Sequence, residues 1–180
     1  MTATPDKWIP AYIGLGSNLD DPVAQIGLGL EGLAGLEDTR LVATSPLYGN
    51  PPMGPQDQPD YVNAVAGVLT RLMPQVLLAK MQALEEQLGR VRSDGDRWGP
   101  RIIDLDLLVY GGEKLSVPGL DLPHSGISER NFVLLPLCNI APMLNVPGQG
   151  TVSVLTARLD GAALVQIEAG KHAFTKGLSN

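Results

Sequence analysis

Between residues 8 and 110 the apolar pattern reads strand, helix, strand, strand, helix, strand, and that order constrains the fold more than any composition figure. Trp8–Gly16 is apolar and ends in Gly-Ser-Asn; Asp21-Pro22 then opens a segment with Val23, Ile26, Leu28, Leu30, Leu33 and Leu36. Asp21 suits the N-cap and Pro22 the first helical position. Glycines 27, 29, 32 and 35 each cost this helix about 1 kcal/mol relative to Ala, so it depends on tertiary packing. Thr39–Tyr48 and Tyr61–Thr70 predict two strands around Gly49–Asp60, a stiff loop holding Pro51, Pro52, Pro55 and Pro59. In Pro74–Leu88 the apolar residues Leu77, Met81, Leu84 and Leu88 have helical spacing, with Glu85 beside the stripe and Gly89 ending it. Ile103, Leu105, Leu107 and Val109 alternate with Asp104, Asp106, Leu108 and Tyr110, which predicts a strand with both aspartates on one face. The whole is a split βαβ arrangement: an α+β fold with a ferredoxin-like antiparallel sheet and helices on one face.

Beyond that unit the pattern predicts a short Lys114–Leu122 segment, a helix capped by Ser128 and running to about Leu137, a short helix over Thr151–Leu159, and a loose tail past Gly170. The 180 residues are 44% hydrophobic, which suits one domain spanning 1–180 with a C-terminal extension after residue 142.

Thirteen Lys and Arg against 19 Asp and Glu leave a net charge of -6, which argues against a nucleic-acid or anionic-membrane surface. Arg90, Arg92, Arg97 and Arg101 nevertheless crowd one short stretch, a local cationic site suited to a small anionic ligand. Cys138 is the lone cysteine, so no intramolecular disulfide forms, and its apolar run Phe132–Cys138 suggests a buried thiol in a reducing cytoplasm. No apolar stretch approaches the roughly 20 residues a membrane span needs.

The strongest chemical signal is Arg101-Ile-Ile-Asp104-Leu-Asp106. Two carboxylates two apart on a strand suit Mg²⁺, which prefers one or two carboxylates plus phosphate oxygens. Ordinary polar alternation on a strand edge and a solvated arginine loop are the plain alternatives. The Gly49–Asp60 loop with Tyr61, Asn63 and Phe132 is a candidate to frame a flat heterocycle, although each residue taken singly reads as core packing or a turn residue. Gly14-Leu-Gly16 lacks the ending of a phosphate loop and reads as a tight turn. His124 suits a phosphate contact, proton transfer or a structural role in its Pro-bounded turn; His172 receives no role. The residues themselves support a magnesium-dependent enzyme acting on a phosphorylated substrate.

Tyr12-Ile-Gly-Leu-Gly-Ser-Asn-Leu19, Asn50-Pro-Pro-Met-Gly-Pro-Gln-Asp-Gln-Pro-Asp-Tyr61-Val-Asn63, Gly89-Arg-Val-Arg92, Arg97-Trp-Gly-Pro-Arg101-Ile-Ile-Asp-Leu-Asp106, Leu122-Pro-His124 and Glu129-Arg130-Asn-Phe132 together resemble the 6-hydroxymethyl-7,8-dihydropterin pyrophosphokinases of folate biosynthesis. The resemblance implies transfer of the β,γ-diphosphate of ATP to the pterin hydroxymethyl oxygen with release of AMP. It implies Asp104 and Asp106 as ligands of two magnesium ions, and Arg92 and Arg101 as catalytic and triphosphate contacts. Asn50, Met53, Tyr61, Asn63, Trp98 and Phe132 match pterin contacts. Gln82, Glu85, Arg92, Trp98, Arg101, Leu107, His124 and Arg130 match positions around ATP. A cytoplasmic monomer acting on small molecules, with loops 49–60 and 90–101 closing over the site, is the expectation that follows.

Gly119, Asp121 and Ser125 depart from the Arg, Thr and Tyr of some family members, so adenine and ribose contacts are expected to differ in detail. Two rivals stand beside this reading: a two-metal nucleotide phosphohydrolase with water as acceptor, and a non-catalytic ferredoxin-like domain that binds a small ligand.

Overall fold

The computed structural model describes residues 7–91, 99–159 and 164–168. In chain order the elements are β1 (Ile9–Ser17), α1 (Pro22–Ala34), β2 (Thr39–Thr44), β3 (Leu47–Asn50), β4 (Tyr61–Thr70), α2 (Pro74–Gln87) and β5 (Asp104–Tyr110). They continue as β6 (Leu115–Val117), β7 (Leu120–Leu122), α3 (Asn131–Ile140), β8 (Asn145–Val146), β9 (Gly150–Thr151), α4 (Val152–Ala157) and β10 (Val165–Ile167).

The main sheet runs β10-β3-β4-β1-β5, with β2 also paired to β4 and every pairing antiparallel. β2 and β3 lie along successive halves of β4, so together they make the second strand of a ferredoxin-like βαββαβ unit. The single strand expected over Thr39–Tyr48 is broken at Ser45-Pro46, where proline has no N–H to donate. Ser45 bridges the gap: its Oγ accepts the Val65 N–H at 2.9 Å and its own N–H donates to the Val65 carbonyl.

α1 begins as the sequence suggests, with the Asp21 carboxylate accepting the Ala24 N–H at 3.2 Å and Pro22 in the first turn. Its glycines let it pack closely. A Cβ at Gly29 would lie 3.2 Å from Leu15 Cδ2, and one at Gly32 only 2.4 Å from Leu84 Cδ1 of α2. α1 and α2 therefore cover one face of the sheet, over a core that includes Ile13, Leu15, Ile26, Leu33, Leu77 and Met81.

Outside the split unit, α3 and α4 cover part of the other face through Val65, Leu108, Leu134, Leu137 and Val152. Tyr48 Oη donates to Asn139 Oδ1 at 2.7 Å and ties α3 to β3. Ser128 does not cap α3. The helix begins at Asn131 with Arg130 at its N-cap, because the Gly126 N–H is held by the His124 ring and the Ile127 N–H by the His124 carbonyl, which wraps 125–129 into turns. Cys138 is half-buried rather than buried. Residues past 170 lie outside the described residues.

Candidate active site

Three strands align a row of residues across the sheet: Asn63 of β4 pairs with Gly16 of β1, and Gly16 pairs with Asp104 of β5. In the next row Val65, Gly14 and Asp106 pair in the same way. Successive residues of a strand face opposite sides, so residues two apart share one. Gly14 and Gly16 thus lie within β1 and add no side chain of their own between β4 and β5, with Leu108 packed over Gly14; the tight turn expected there is not formed. Beside these glycines is a cleft of about 360 Å³. It is lined by Asn50, Met53, Tyr61, Asn63, Gln82, Glu85, Arg101, Asp104, Asp106, His124, Arg130 and Phe132, all singled out in the sequence.

At one end, Asn63 Nδ2 donates to Asn50 Oδ1 at 2.5 Å, and Tyr61 Oη donates to the Gly99 carbonyl at 3.0 Å. These amides and rings offer flat apolar surface and hydrogen-bonding edges to a planar heterocycle. Met53 reaches into solvent from the proline-rich loop.

At the other end, β5 is the sheet's edge strand, so its outer backbone bonds to neighbours instead of a further strand. The Leu105 N–H donates to Glu85 Oε1 at 2.6 Å, and the Leu108 carbonyl accepts the His124 N–H at 2.8 Å. The Asp104 carboxylate is flanked by two guanidinium groups, Arg90 Nη1 on Oδ1 and Arg101 Nη1 on Oδ2, the latter at 2.5 Å. Arg90 also donates to Glu85 Oε1 at 2.5 Å.

Desolvation in the cleft, followed by the charge of Asp104, pushes the Asp106 carboxyl up to about 6, against the pull of Arg130, Arg101 and Arg90. With 43% of its side chain exposed, solvent tempers that effect. Burial works against the Arg101 charge, but Asp104 more than offsets it and raises the guanidinium pKa. Burial, then the charge of Arg130, lowers His124 below the usual histidine range. Its Nδ1 accepts the Gly126 N–H at 3.1 Å, which leaves the neutral ring's proton on Nε2, 4.0 Å from Asp106 Oδ1.

Two hard-oxygen side chains on one strand face, one destabilised by the other's charge, fit a divalent cation that draws its remaining ligands from substrate phosphates and water. Among the described residues no group of three or more His, Cys, Asp or Glu forms a full protein cage.

The Leu107 side chain is 3% exposed and packs in the core under α1 and α2, so only its backbone on the edge strand is placed to face a ligand. Alternation along β5 dictates this, since Asp106 takes the cleft side. Arg92, Arg97 and Trp98 lie outside the described residues. Two partners lacked a role in the sequence reading. Arg90 was visible only as a member of the arginine run. Asn18, 1% exposed, stood in the Gly-Ser-Asn motif: its Oδ1 accepts the Arg101 N–H at 2.8 Å, and its Nδ2 donates to Gln58 Oε1 and the Pro59 carbonyl. One buried amide thereby ties Arg101 to the proline-rich loop.

The family model of 7,8-dihydro-6-hydroxymethylpterin-pyrophosphokinase matches residues 12–142. A Haemophilus influenzae 2-amino-4-hydroxy-6-hydroxymethyldihydropteridine pyrophosphokinase is 43% identical over 159 residues, covering 88% of this chain and 98% of that protein. A Pseudomonas aeruginosa protein of the same name is 49% identical over 136 residues, covering 76% and 83%. In fold, the chain is similar to a solved Plasmodium falciparum HPPK-DHPS bound to pteroate, with TM-score 0.65 and 15% identity, over 84% of this chain. The chain spans 42% of the length of that structure.

Proposed function

The chain belongs to the 7,8-dihydro-6-hydroxymethylpterin-pyrophosphokinase family and transfers a pyrophosphoryl group to 6-hydroxymethyldihydropterin in folate biosynthesis, and we propose that ATP donates that group with magnesium at Asp104 and Asp106. The observation that supports the residue assignment is the row Asn63, Gly16, Asp104, which puts an amide and a carboxylate side by side across one glycine. Asn50 and Asn63 bind the pterin's polar edge, Tyr61 and Phe132 its faces, and Met53 lies on the adjoining loop. The hydroxymethyl group then points across Gly16 toward the aspartates.

Arg101 and Arg130 bind the polyphosphate, and Arg101 stabilises the charge that builds up during transfer. The neutral His124 donates from Nε2 to a phosphate oxygen. Gln82, at the cleft end of α2, contacts the nucleoside. Arg92 keeps the catalytic and triphosphate role, and Trp98 the pterin and nucleotide contacts, that the family resemblance implies. Magnesium held by Asp104 and Asp106 supplies charge neutralisation on the phosphates and eases ionisation of the attacking hydroxyl. The enzyme is taken as a single-domain cytoplasmic monomer.

The test incubates the protein with ATP, Mg²⁺ and 6-hydroxymethyl-7,8-dihydropterin and separates the products by chromatography. AMP formed in step with the pterin diphosphate, and only when pterin is present, is the expected result. ADP, or nucleotide consumption without pterin, overturns the assignment of donor and acceptor.

A further inference from the structure

Glu85 is the only carboxylate in the buried set of the described residues, at 1% exposure. A carboxylate is unfavourable out of water unless donors and cations replace its hydration. An apolar residue at this position of α2 would serve the core, so the charge needs another reason.

Its partners supply one. Oε1 accepts the Leu105 N–H at 2.6 Å and Arg90 Nη1 at 2.5 Å, and the same Nη1 donates to Asp104 Oδ1. The Glu85 carbonyl also accepts the Arg90 N–H at 2.9 Å, which fixes the base of that arginine. Leu105 stands between Asp104 and Asp106 in β5. One buried carboxylate thus constrains the backbone between the two aspartates and the guanidinium lying on the first of them.

We propose that Glu85 is a positioning residue for the metal-binding aspartates. Through Leu105 it holds β5 against α2, and through Arg90 it orients Asp104, so that both carboxylates present oxygens to bound divalent metal. Arg90 keeps Glu85 as a partner when a cation competes for Asp104. The inference rests on the pyrophosphokinase reading with Asp104 and Asp106 as metal ligands. Supporting partners of metal ligands commonly change metal affinity by about 10–100-fold when altered.

Glu85→Gln keeps the shape of the side chain and removes its charge. Mn²⁺, a paramagnetic stand-in for Mg²⁺, is titrated by electron paramagnetic resonance into protein saturated with α,β-methylene-ATP. Binding of that analogue in EDTA and binding of pterin are measured by calorimetry. The expected result is Mn²⁺ affinity weakened at least ~10-fold, with metal-free nucleotide and pterin affinities within about 2-fold of wild type and activity partly restored by excess Mg²⁺. Unchanged Mn²⁺ affinity, or an equal loss of metal-free nucleotide binding, overturns the proposal. If Glu85→Gln does not fold, Arg90→Lys carries the same test, because the orienting contact on Asp104 runs through Arg90. A wild type that makes no pterin diphosphate defeats the underlying reading; an active wild type with an unaltered variant defeats this inference alone.

Discussion

Asn63 and Asp104 lie on opposite sides of Gly16 in one row of the sheet, and no side chain stands between them. Two strand spacings separate their backbones by about 10 Å, so the glycine leaves a gap about the size of a fused heterocycle. The closeness is sharpest on the Asn63 side, where a Cβ at Gly16 would lie 3.0 Å from Asn63 Oδ1.

Gly16→Ala is therefore expected to displace the Asn63 amide and weaken pterin binding by about 10-fold, the cost of one disturbed hydrogen bond. ATP-analogue affinity changes little. Calorimetric titration with each ligand separates the two effects, and equal loss of both would contradict the assignment of Gly16.

Asp104→Asn and Asp106→Asn each remove a proposed metal oxygen while keeping side-chain size. Turnover at saturating Mg²⁺ should fall at least ~100-fold, in line with the several kcal/mol that a bound metal contributes to charge stabilisation. Steady-state assays with circular dichroism as a folding control test this; activity within a few-fold of wild type would remove the metal role.

The metal-free protein should also show Asp106 in its stability. Its carboxyl is raised to about 6 in the fold from an ordinary 3.8, so the folded state binds the proton more tightly. That contribution is fully present below about 3.8 and is lost as pH rises through about 6. In EDTA, Asp106→Asn should match wild type near pH 3.5 and exceed it at pH 7, by no more than about 1 kcal/mol given solvent screening at this part-exposed group. Thermal midpoints across that pH range give the comparison, and a variant less stable at pH 7 would refute the stated environment of Asp106.

Arg101→Ala tests whether this guanidinium acts in the transition state. A fall in kcat of about 100-fold with analogue affinity changed less than 5-fold is expected if its charge is used mainly during transfer. Parallel losses in both would make it a binding residue.

Gly32→Ala addresses the fold. The added Cβ would meet Leu84 Cδ1 at 2.4 Å, and overpacking of this kind typically costs about 1–3 kcal/mol, more than the roughly 1 kcal/mol gained in helix propensity. Denaturant unfolding should show net destabilisation with pterin affinity retained.

Much of the fold was legible because hydrophobic period and local signals agree over residues 8–110. Asp21-Pro22 starts α1 and the β5 alternation puts its two aspartates on one face, as the pattern says. Local signals misled where a side chain or backbone group is used by a distant partner. Ser128 looks like a cap, but the turn before α3 is organised around His124. Gly14 and Gly16 look like a turn, but β4 and β5 hold them in the central strand.

The site divides along the same line. Residue type and spacing along one strand determined the carboxylate pair, and the motif set determined which amides and rings belong with it, since both are properties of neighbours in the chain. Only the tertiary structure decided that Asn18 ties Arg101 to the proline-rich loop, and that Glu85, Arg90 and Asp104 form one chain of contacts. Those relations join residues from different elements, and their strength depends on burial and distance, quantities that exist only after the strands have paired and α2 has packed on the sheet.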